Sequence, residues 1–149
     1  MKRFILAFTV VLAFAAVNAQ EAATVQKAEN FLKFKELSYN FGKIKQNVPV
    51  THDFVFSNVT DKAIVIESAT ASCGCTTPKK PEAPVFQGKF DKITAGFNAA
   101  SIGPFNKVIY LKVQGLDAPV EIKITGEVLS EPDYVKYEKD KKTGKSGGK

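Results

Sequence analysis

A two-residue alternation of apolar and polar side chains is the pattern that most constrains the fold of this chain. It is clearest in residues 50–57 and 120–125, where bulky side chains occupy nearly every second position. Because successive side chains of a β-strand point to opposite faces of its sheet, this pattern indicates strands with one buried face. No segment has the three-to-four-residue apolar spacing of an amphipathic helix. The sequence therefore predicts an all-β fold, an Ig-like antiparallel β-sandwich of about seven strands.

Short apolar runs and turn-forming residues predict the other elements. Residues 63–70 are rich in β-branched side chains and predict a strand, and the continuous apolar run over 108–113 predicts a strand in the centre of a sheet. Three prolines within residues 76–84 predict an extended loop. Further segments are predicted as a first strand over 31–35, a turn over 39–42 and a strand region over 86–97.

The first 19 residues predict an export signal. Lys2 and Arg3 precede an apolar segment over residues 4–17, and small residues precede a cleavage site after Ala19. The apolar segment is shorter than the roughly 20 residues that a membrane span needs. Because Gln20, and not Cys, follows the cleavage site, the chain is not expected to be a lipoprotein. We therefore expect an exported, soluble protein in a periplasm or outside the cell, without a transmembrane segment.

Composition divides the chain into four parts. Residues 1–19 are the predicted signal peptide, and residues 20–30 are predicted to be a flexible lead-in. Residues 31–129 hold the predicted sandwich. The Lys/Gly-rich residues 130–149 are predicted to be a disordered tail.

The positive charge of the chain lies mostly at its two ends. The net charge is +6, but residues 20–135 contain 13 Lys against 13 Asp and Glu. Arg3 is the single Arg of the chain, and it belongs to the predicted signal peptide. A nucleic-acid-binding face normally carries clustered Lys and Arg. Nucleic acid is therefore not expected as a partner.

The two cysteines of the chain stand in the motif Cys73-Gly74-Cys75. One intervening residue keeps the sulfurs within reach of each other, and an oxidising compartment favours a disulfide. Loop entropy gives so short a bridge only about 1.6 kcal/mol, and the bridge should be easily reduced. Gly74 is expected to supply the backbone angles of the turn. The pair is thus a structural disulfide or, beside Lys79 and Lys80, a thiol–disulfide catalyst, although the downstream prolines exclude the helix N-terminus that usually activates such a thiol.

Two further interpretations leave the cysteines unpaired. A structural zinc site normally needs four protein ligands, and His52 is the only histidine that could join Cys73 and Cys75. Cu(I) accepts fewer ligands and prefers thiolates, so copper is the alternative cofactor at the two cysteines, and otherwise no cofactor is expected. The cysteines can also be free thiols without a role. His52 lies on the apolar face of its strand and is interpreted as a core or edge residue.

Several motifs, taken in order along the chain, resemble one protein family. They are Tyr39-Asn40-Phe41-Gly42, Phe54-x-Phe56-x-Asn58, Ala63-Ile64-Val65-Ile66, Ser72-Cys73-Gly74-Cys75-Thr76, Gly103-Pro104-Phe105-Asn106-Lys107 and Ile124-x-Gly126-Glu127-Val128. Over residues 34–128 the chain resembles the family of domain of unknown function 1573, common in exported proteins of Bacteroidetes-type bacteria. The resemblance implies an Ig-like sandwich related to the ASPM/SPD-2/Hydin group and distantly similar to pilus-chaperone-like domains. It implies no reaction.

Two of these motifs also admit functional interpretations. The Gly103-Pro104 pair could open a binding loop, but a structural role is favoured, in which the pair makes a turn and Phe105 packs. Asn106 is then expected to hydrogen-bond the turn backbone. Asn58 begins an Asn-Val-Thr glycosylation pattern, which is interpreted as a chance match.

The sequence predicts binding and not catalysis. It contains no recognisable Ser/His/Asp set, no paired carboxylates and no glycine-rich phosphate loop, so no enzyme activity is expected apart from thiol–disulfide exchange as an alternative. The expected function is a non-enzymatic cell-envelope module that binds a protein partner by an edge strand or another surface. The alternative is a copper-binding or thiol-redox protein that acts through Cys73 and Cys75.

Overall fold

The computed structural model describes residues 27–144, so the predicted signal peptide lies outside the described residues. These residues form eight β-strands and one α-helix. In chain order the elements are β1 (Leu32–Phe34), β2 (Ser38–Lys45), β3 (Val50–Asn58), β4 (Ile66–Ala71), β5 (Thr76–Lys79), β6 (Phe90–Phe97), β7 (Gly103–Val113), β8 (Val120–Leu129) and α1 (Glu131–Lys142). The strands form a first sheet of order β1-β3-β6-β5 and a second sheet of order β2-β8-β7-β4.

The two sheets pack face to face around one hydrophobic core. The predicted alternation is confirmed, because Phe54 and Phe56 of β3 and Ile122 and Ile124 of β8 are fully buried. β7 lies between β8 and β4, which confirms the central position predicted for residues 108–113. The architecture confirms the predicted Ig-like sandwich, with eight strands in the described residues.

One strand pair departs from the predicted antiparallel arrangement. β2 pairs with β8 in parallel, beginning with Ser38 opposite Lys123. The chain passes from the first sheet to the second in the short link between β1 and β2. β2 therefore lies beside β8, the last strand of the chain, and does not form a hairpin with β1. The prediction of a turn over residues 39–42 is wrong, because they lie within β2. The glycine that suggested a turn, Gly42, has a φ of 67° and lies where the pairing of β2 with β8 is irregular.

Two other segments differ from the predicted elements. The predicted loop over residues 76–84 begins with β5, which tolerates Pro78 because β5 is an edge strand. The predicted strand region over 86–97 begins four residues later than expected. The preceding residues form a turn in which the backbone N–H of Lys89 donates a hydrogen bond to the carbonyl of Phe86 (3.0 Å).

The prediction of a disordered tail over residues 130–149 is wrong for most of its length, because α1 spans Glu131–Lys142. Ser130 caps this helix: its Oγ accepts a hydrogen bond from the backbone N–H of Asp133 (3.4 Å). Pro132 stands in the first turn, and three lysines of the last turn complement the helix dipole. None of the helix side chains is buried, so its capping and charge pattern, and not burial, account for the helix.

Of the predicted flexible lead-in over residues 20–30, residues 20–26 lie outside the described residues, and Ala28–Asn30 form a 3₁₀ turn. This turn leads into β1 at the edge of the first sheet. Within residues 27–144, no helix has both the length and the apolar character that a membrane crossing requires.

Candidate functional site

The cysteine motif lies at the corner where the chain passes from one sheet to the other. β4 is the edge strand of the second sheet, and β5 is the edge strand of the first sheet on the same side of the sandwich. Residues 72–75 connect them. The sulfurs of Cys73 and Cys75 are joined in a disulfide, with the two Cα atoms 5.4 Å apart. The disulfide therefore closes the corner between two sheet edges.

The hydroxyl of Thr76 lies against this disulfide. Its Oγ1 is 3.7 Å from Sγ of Cys73 and 3.9 Å from Sγ of Cys75. Thr76 is buried, with only 3% of its surface exposed, whereas both cysteines are half-buried and Cys75 packs against the core. Sequence reasoning did not single out Thr76 as a site residue, although its position directly after Cys75 is the signal that could have identified it.

Gly74 does not play the conformational role expected from the sequence. Its φ lies outside the left-handed region, and no heavy atom of another part of the fold lies within 4 Å of the position that a Cβ would occupy. The expectation that the turn requires a glycine for its backbone angles is therefore wrong. Gly74 is exposed between the two partly exposed cysteines.

Backbone hydrogen bonds hold the corner in place on both sides. The N–H of Ser72 donates to the carbonyl of Val108 (2.9 Å), and the N–H of Asn98 donates to the carbonyl of Cys75 (3.1 Å). Next to Asn98, the buried Ala99 has a φ of 53°, a left-handed conformation that is unfavourable for alanine. The corner is thus fixed by the neighbouring strands independently of the sulfur–sulfur bond.

The structure places His52 apart from the cysteines and gives it other partners. Its Nε2 lies 2.9 Å from a carboxylate oxygen of Glu36, and its ring stacks on Tyr39. In the described part of the chain, no group of three or more His, Cys, Asp and Glu side chains is arranged to hold a metal ion. Cu(I) binding by Cys73 and Cys75 would require the reduced pair, and it stays a prediction.

The Gly-Pro-Phe-Asn motif is part of the packed sandwich. Gly103 and Pro104 begin β7 instead of making a turn, so that expectation is wrong. Phe105 is buried as predicted and stacks on Phe97 with ring centroids 4.0 Å apart. Asn106 is exposed opposite Thr125, and within residues 27–144 its side chain makes none of the expected hydrogen bonds to a turn.

Asn58 is a buried structural residue whose side chain fastens two loops. Its Nδ2 donates to the backbone carbonyls of Lys62 (2.6 Å) and Val85 (2.8 Å). Its Oδ1 accepts hydrogen bonds from the backbone N–H and the hydroxyl of Thr60, both at 2.8 Å. Only 1% of its surface is exposed. The glycosylation pattern is therefore inaccessible in the folded protein.

The four edge strands differ in how well they are protected from pairing with another chain. β1 has three residues, and β5 has four and contains Pro78. β2 is irregular at Gly42, and an ion pair between Lys45 and Glu131 (2.6 Å) links it to α1. β4 has six residues and contains neither proline nor glycine. Proline, bulges and short length usually protect an edge strand from pairing with another chain. β4 has a bulge near Ser68, but the rest of the strand has none of these features. β4 is therefore the least protected of the four edge strands.

Alternate backbone groups of β4 point away from the sheet. The N–H of Ser72 bonds to the carbonyl of Val108, and Thr70 lies two residues before Ser72 in the same antiparallel ladder. In such a ladder, every second residue bonds to the neighbouring strand and the residues between face the other side. Ala69 and Ala71 therefore direct their N–H and C=O groups away from β7. No strand in residues 27–144 pairs with that side of β4.

The opposite end of the first sheet exposes two aromatic side chains. Phe86 and Phe90 are 65% and 71% exposed, respectively, around the turn that precedes β6. The first strand position, Phe90, pairs with Ser57, whereas Phe97 at the other end of β6 pairs with Thr76 beside the disulfide. This aromatic pair is thus a second exposed surface, separate from the disulfide corner.

Comparison with known proteins places this arrangement in a family. The sequence profile of the family described as "Protein of unknown function (DUF1573)" matches residues 32–128. No curated protein sequence matches the chain.

Solved structures with similar folds come from bacteria and from human. A protein of unknown function from Porphyromonas gingivalis W83 is 10% identical with a TM-score of 0.56, over 65% of this chain and 46% of that chain. The ASH/PapD-like domain 7 of human CEP192 is 7% identical with a TM-score of 0.55, over 68% and 87%. The VesB protease of Vibrio cholerae is 13% identical with a TM-score of 0.51, over 66% of this chain but only 32% of the protease. The chain spans about a third of the VesB protease and less than half of the Porphyromonas gingivalis protein. Because sequence identity is low in all three comparisons, the likeness concerns the fold alone.

Proposed function

The chain belongs to the DUF1573 family of proteins of unknown function, and on that premise we propose that it is an exported, non-enzymatic module that binds a protein partner along the free edge of β4. The single observation that carries this proposal is the outer edge of β4, six residues long and without proline, which no strand of residues 27–144 pairs with. An extended segment of the partner would add to the second sheet as a further strand.

The backbone of β4 offers the hydrogen bonds that such a partner needs. Ala69 and Ala71 present N–H and C=O groups to the free side. A partner strand would bond to these groups and add a ladder beyond β4. Exposed Thr70 and Glu67 flank these positions and would contact alternate side chains of the partner.

The proposed location rests on two independent features. Residues 1–19 have the order of a secretory signal. A disulfide between Cys73 and Cys75 persists in an oxidising compartment and is rare in a reducing one. Mass determination of the protein isolated from its native cells tests the location: a mature chain that starts at Gln20 supports export, and an intact Met1 contradicts it.

Edge binding is tested with a pair of variants at one position. Ala69→Pro removes an outward N–H that takes no part in the β4–β7 ladder, whereas Ala69→Ser keeps it. Each mature protein is immobilised and exposed to a native envelope extract, and the captured proteins are quantified. We expect a partner captured by the native chain and by Ala69→Ser, and at least tenfold less of it with Ala69→Pro. A melting curve of each variant shows whether it is folded, and Ala71→Pro with Ala71→Ser repeats the test if Ala69→Pro is not.

A second variant distinguishes the edge from the other exposed surface. Phe86→Ser combined with Phe90→Ser removes the two exposed aromatic rings without touching β4. The proposal predicts unchanged capture by this double variant. Equal capture by Ala69→Pro and Ala69→Ser, or loss of capture only in the phenylalanine variant, would overturn the edge proposal.

A further inference from the structure

We infer that Cys73 and Cys75 form a redox-active disulfide whose reduced form is stabilised by the hydroxyl of Thr76, and that the pair exchanges with dithiols of other envelope proteins. This activity is independent of partner binding at β4. It rests on the surroundings of the two sulfur atoms, on their accessibility and on the way in which the corner is held.

The hydrogen-bond partners of Thr76 favour the reduced state. A buried hydroxyl normally has a hydrogen-bond partner, and the partners of the Thr76 side chain within the described residues are the two sulfurs, at 3.7 and 3.9 Å. A disulfide sulfur accepts hydrogen bonds weakly, whereas a thiolate is charged and accepts them strongly. The interaction of Thr76 with the sulfurs is therefore stronger after reduction, which shifts the equilibrium toward the reduced pair.

The disulfide lies at the surface of the protein. Ser72 and Gly74 are exposed, and Cys73 and Cys75 are each partly exposed. Thiol–disulfide exchange needs contact between an attacking thiolate and one sulfur of the pair. A partly exposed pair flanked by exposed residues is consistent with that requirement.

The fold does not depend on the sulfur–sulfur bond. The bond closes a loop of only three residues, so it constrains the unfolded chain little. Backbone hydrogen bonds from Ser72 to Val108 and from Asn98 to Cys75 hold the corner on both sides. The protein can therefore pass between the two redox states without unfolding.

The exchange balances as a two-electron transfer. A thiolate of the partner dithiol attacks one sulfur of the pair and forms a mixed disulfide, and the other sulfur leaves as a thiolate near Thr76. The second thiolate of the partner then attacks the mixed disulfide and releases the first cysteine. The partner dithiol loses two electrons and two protons in total and becomes a disulfide. Cys73 and Cys75 gain the two electrons, the thiolate beside Thr76 accepts its hydrogen bond, and the protons lost by the partner pass to the pair or to the solvent.

The equilibrium with glutathione tests the role of Thr76. Thr76→Val removes the hydroxyl and keeps the shape, Thr76→Ser keeps the hydroxyl, and Thr77→Val removes the exposed neighbouring hydroxyl as a matched control. We expect Thr76→Val to shift the equilibrium about fivefold toward the disulfide and to slow reduction by dithiothreitol several-fold. Thr76→Ser and Thr77→Val should remain within twofold of the native protein.

The exchange activity itself is tested with a peptide that contains two cysteines. The native protein should oxidise this reduced peptide, and Cys75→Ser, with Cys73 free, should trap a mixed disulfide with oxidised glutathione. An equilibrium that is unchanged in Thr76→Val, or a native disulfide that does not react with the peptide, would overturn the inference. Melting curves in both redox states confirm that each comparison is made between folded proteins.

Discussion

The rings of Tyr39 and His52 lie parallel to each other, with centroids 3.5 Å apart. Tyr39 belongs to β2 at the edge of the second sheet, and His52 belongs to β3 of the first sheet. A carboxylate oxygen of Glu36, in the link between β1 and β2, lies 2.9 Å from Nε2 of His52. The stack therefore joins the two sheets on one side of the sandwich, and the Cys73–Cys75 corner joins them on the other side.

This stack should contribute measurably to stability. Tyr39→Leu keeps an apolar side chain and removes the ring, so we expect the free energy of unfolding to fall by about 1 kcal/mol, the usual value of an aromatic pair beyond its buried area. Urea unfolding measures the change. Tyr110→Leu, at an exposed position on β7, is the control and should change stability by less than about 0.5 kcal/mol. Equal effects of the two substitutions would contradict a role for the stack.

An added methyl group should destabilise the fold at Gly126 and should be tolerated at Gly74. A Cβ on Gly126 would lie 2.7 Å from Cζ of Phe105 and 2.8 Å from the carbonyl oxygen of Gly42. Gly126→Ala should therefore destabilise the fold by about 1–3 kcal/mol through overpacking. Gly74→Ala meets no neighbouring atom and should leave the melting temperature and the disulfide unchanged. A tolerated Gly126→Ala would show that the close approach of β2 to β8 is not required.

The buried amide of Asn58 should be more sensitive to charge than an exposed amide. Asn58→Asp keeps the size of the side chain but turns two donated hydrogen bonds into contacts between a carboxylate and two carbonyl oxygens. We expect a loss of at least about 2 kcal/mol at neutral pH, measured by urea unfolding. Asn106→Asp is the matched control at an exposed position and should be nearly neutral. Equal losses would contradict the role assigned to the Asn58 amide.

The ion pair at Asp53 should make stability depend on acid pH. The hydrogen bond from Lys92, supported by one from Thr94, lowers the pKa of the Asp53 carboxyl in the folded state. The pair therefore contributes above the unfolded pKa of about 3.9, and this contribution disappears as the pH falls through the lower folded value. The stability difference between the native protein and Asp53→Asn should be constant from about pH 5 to 7 and shrink below about pH 4.

Since the Asp53 carboxylate is largely exposed, this difference should be small. About 1 M salt should reduce it further at every pH, because salt screens exposed charges. A difference that grows as the pH falls would contradict the assigned direction.

Removal of the disulfide should cost little stability and leave partner binding intact. Cys73→Ser combined with Cys75→Ser opens a loop of three residues, so we expect the free energy of unfolding to fall by less than about 2 kcal/mol. The same double variant should capture as much partner as the native chain, because the free edge of β4 lies outside the disulfide. Unfolding of the variant at room temperature would contradict the independence of the corner from its sulfur–sulfur bond.

The sandwich is predictable because its strand signals are local. The alternation around Phe54 and Ile122 reports directly which face of each strand is buried. The parallel pairing of β2 with β8 is not local: it depends on strands that are distant in the sequence. Gly42 predicts a turn in the sequence. The structure shows instead that its positive φ accompanies an irregularity within β2, where the pairing with β8 shifts.

The helix and the site illustrate two other limits. The sequence contains the capping signals of α1, Ser130 followed by Asp133 three residues later, but the helix lacks the buried face on which periodicity analysis depends. At the corner, the sequence identifies Cys73 and Cys75 as the candidate pair. It does not reveal that the Thr76 hydroxyl faces both sulfurs, because the direction of that side chain depends on which sheet β5 joins.

Amide hydrogen exchange of the β4 residues, with and without the captured partner, tests the central claim most directly. In the free protein, Ala69 and Ala71 should exchange fast and Thr70 slowly, because only the Thr70 N–H bonds to β7. When the partner adds a strand, Ala69 and Ala71 should become protected while Thr70 changes little. If both alanine amides continue to exchange fast in the complex, the partner binds elsewhere and strand addition at β4 is wrong.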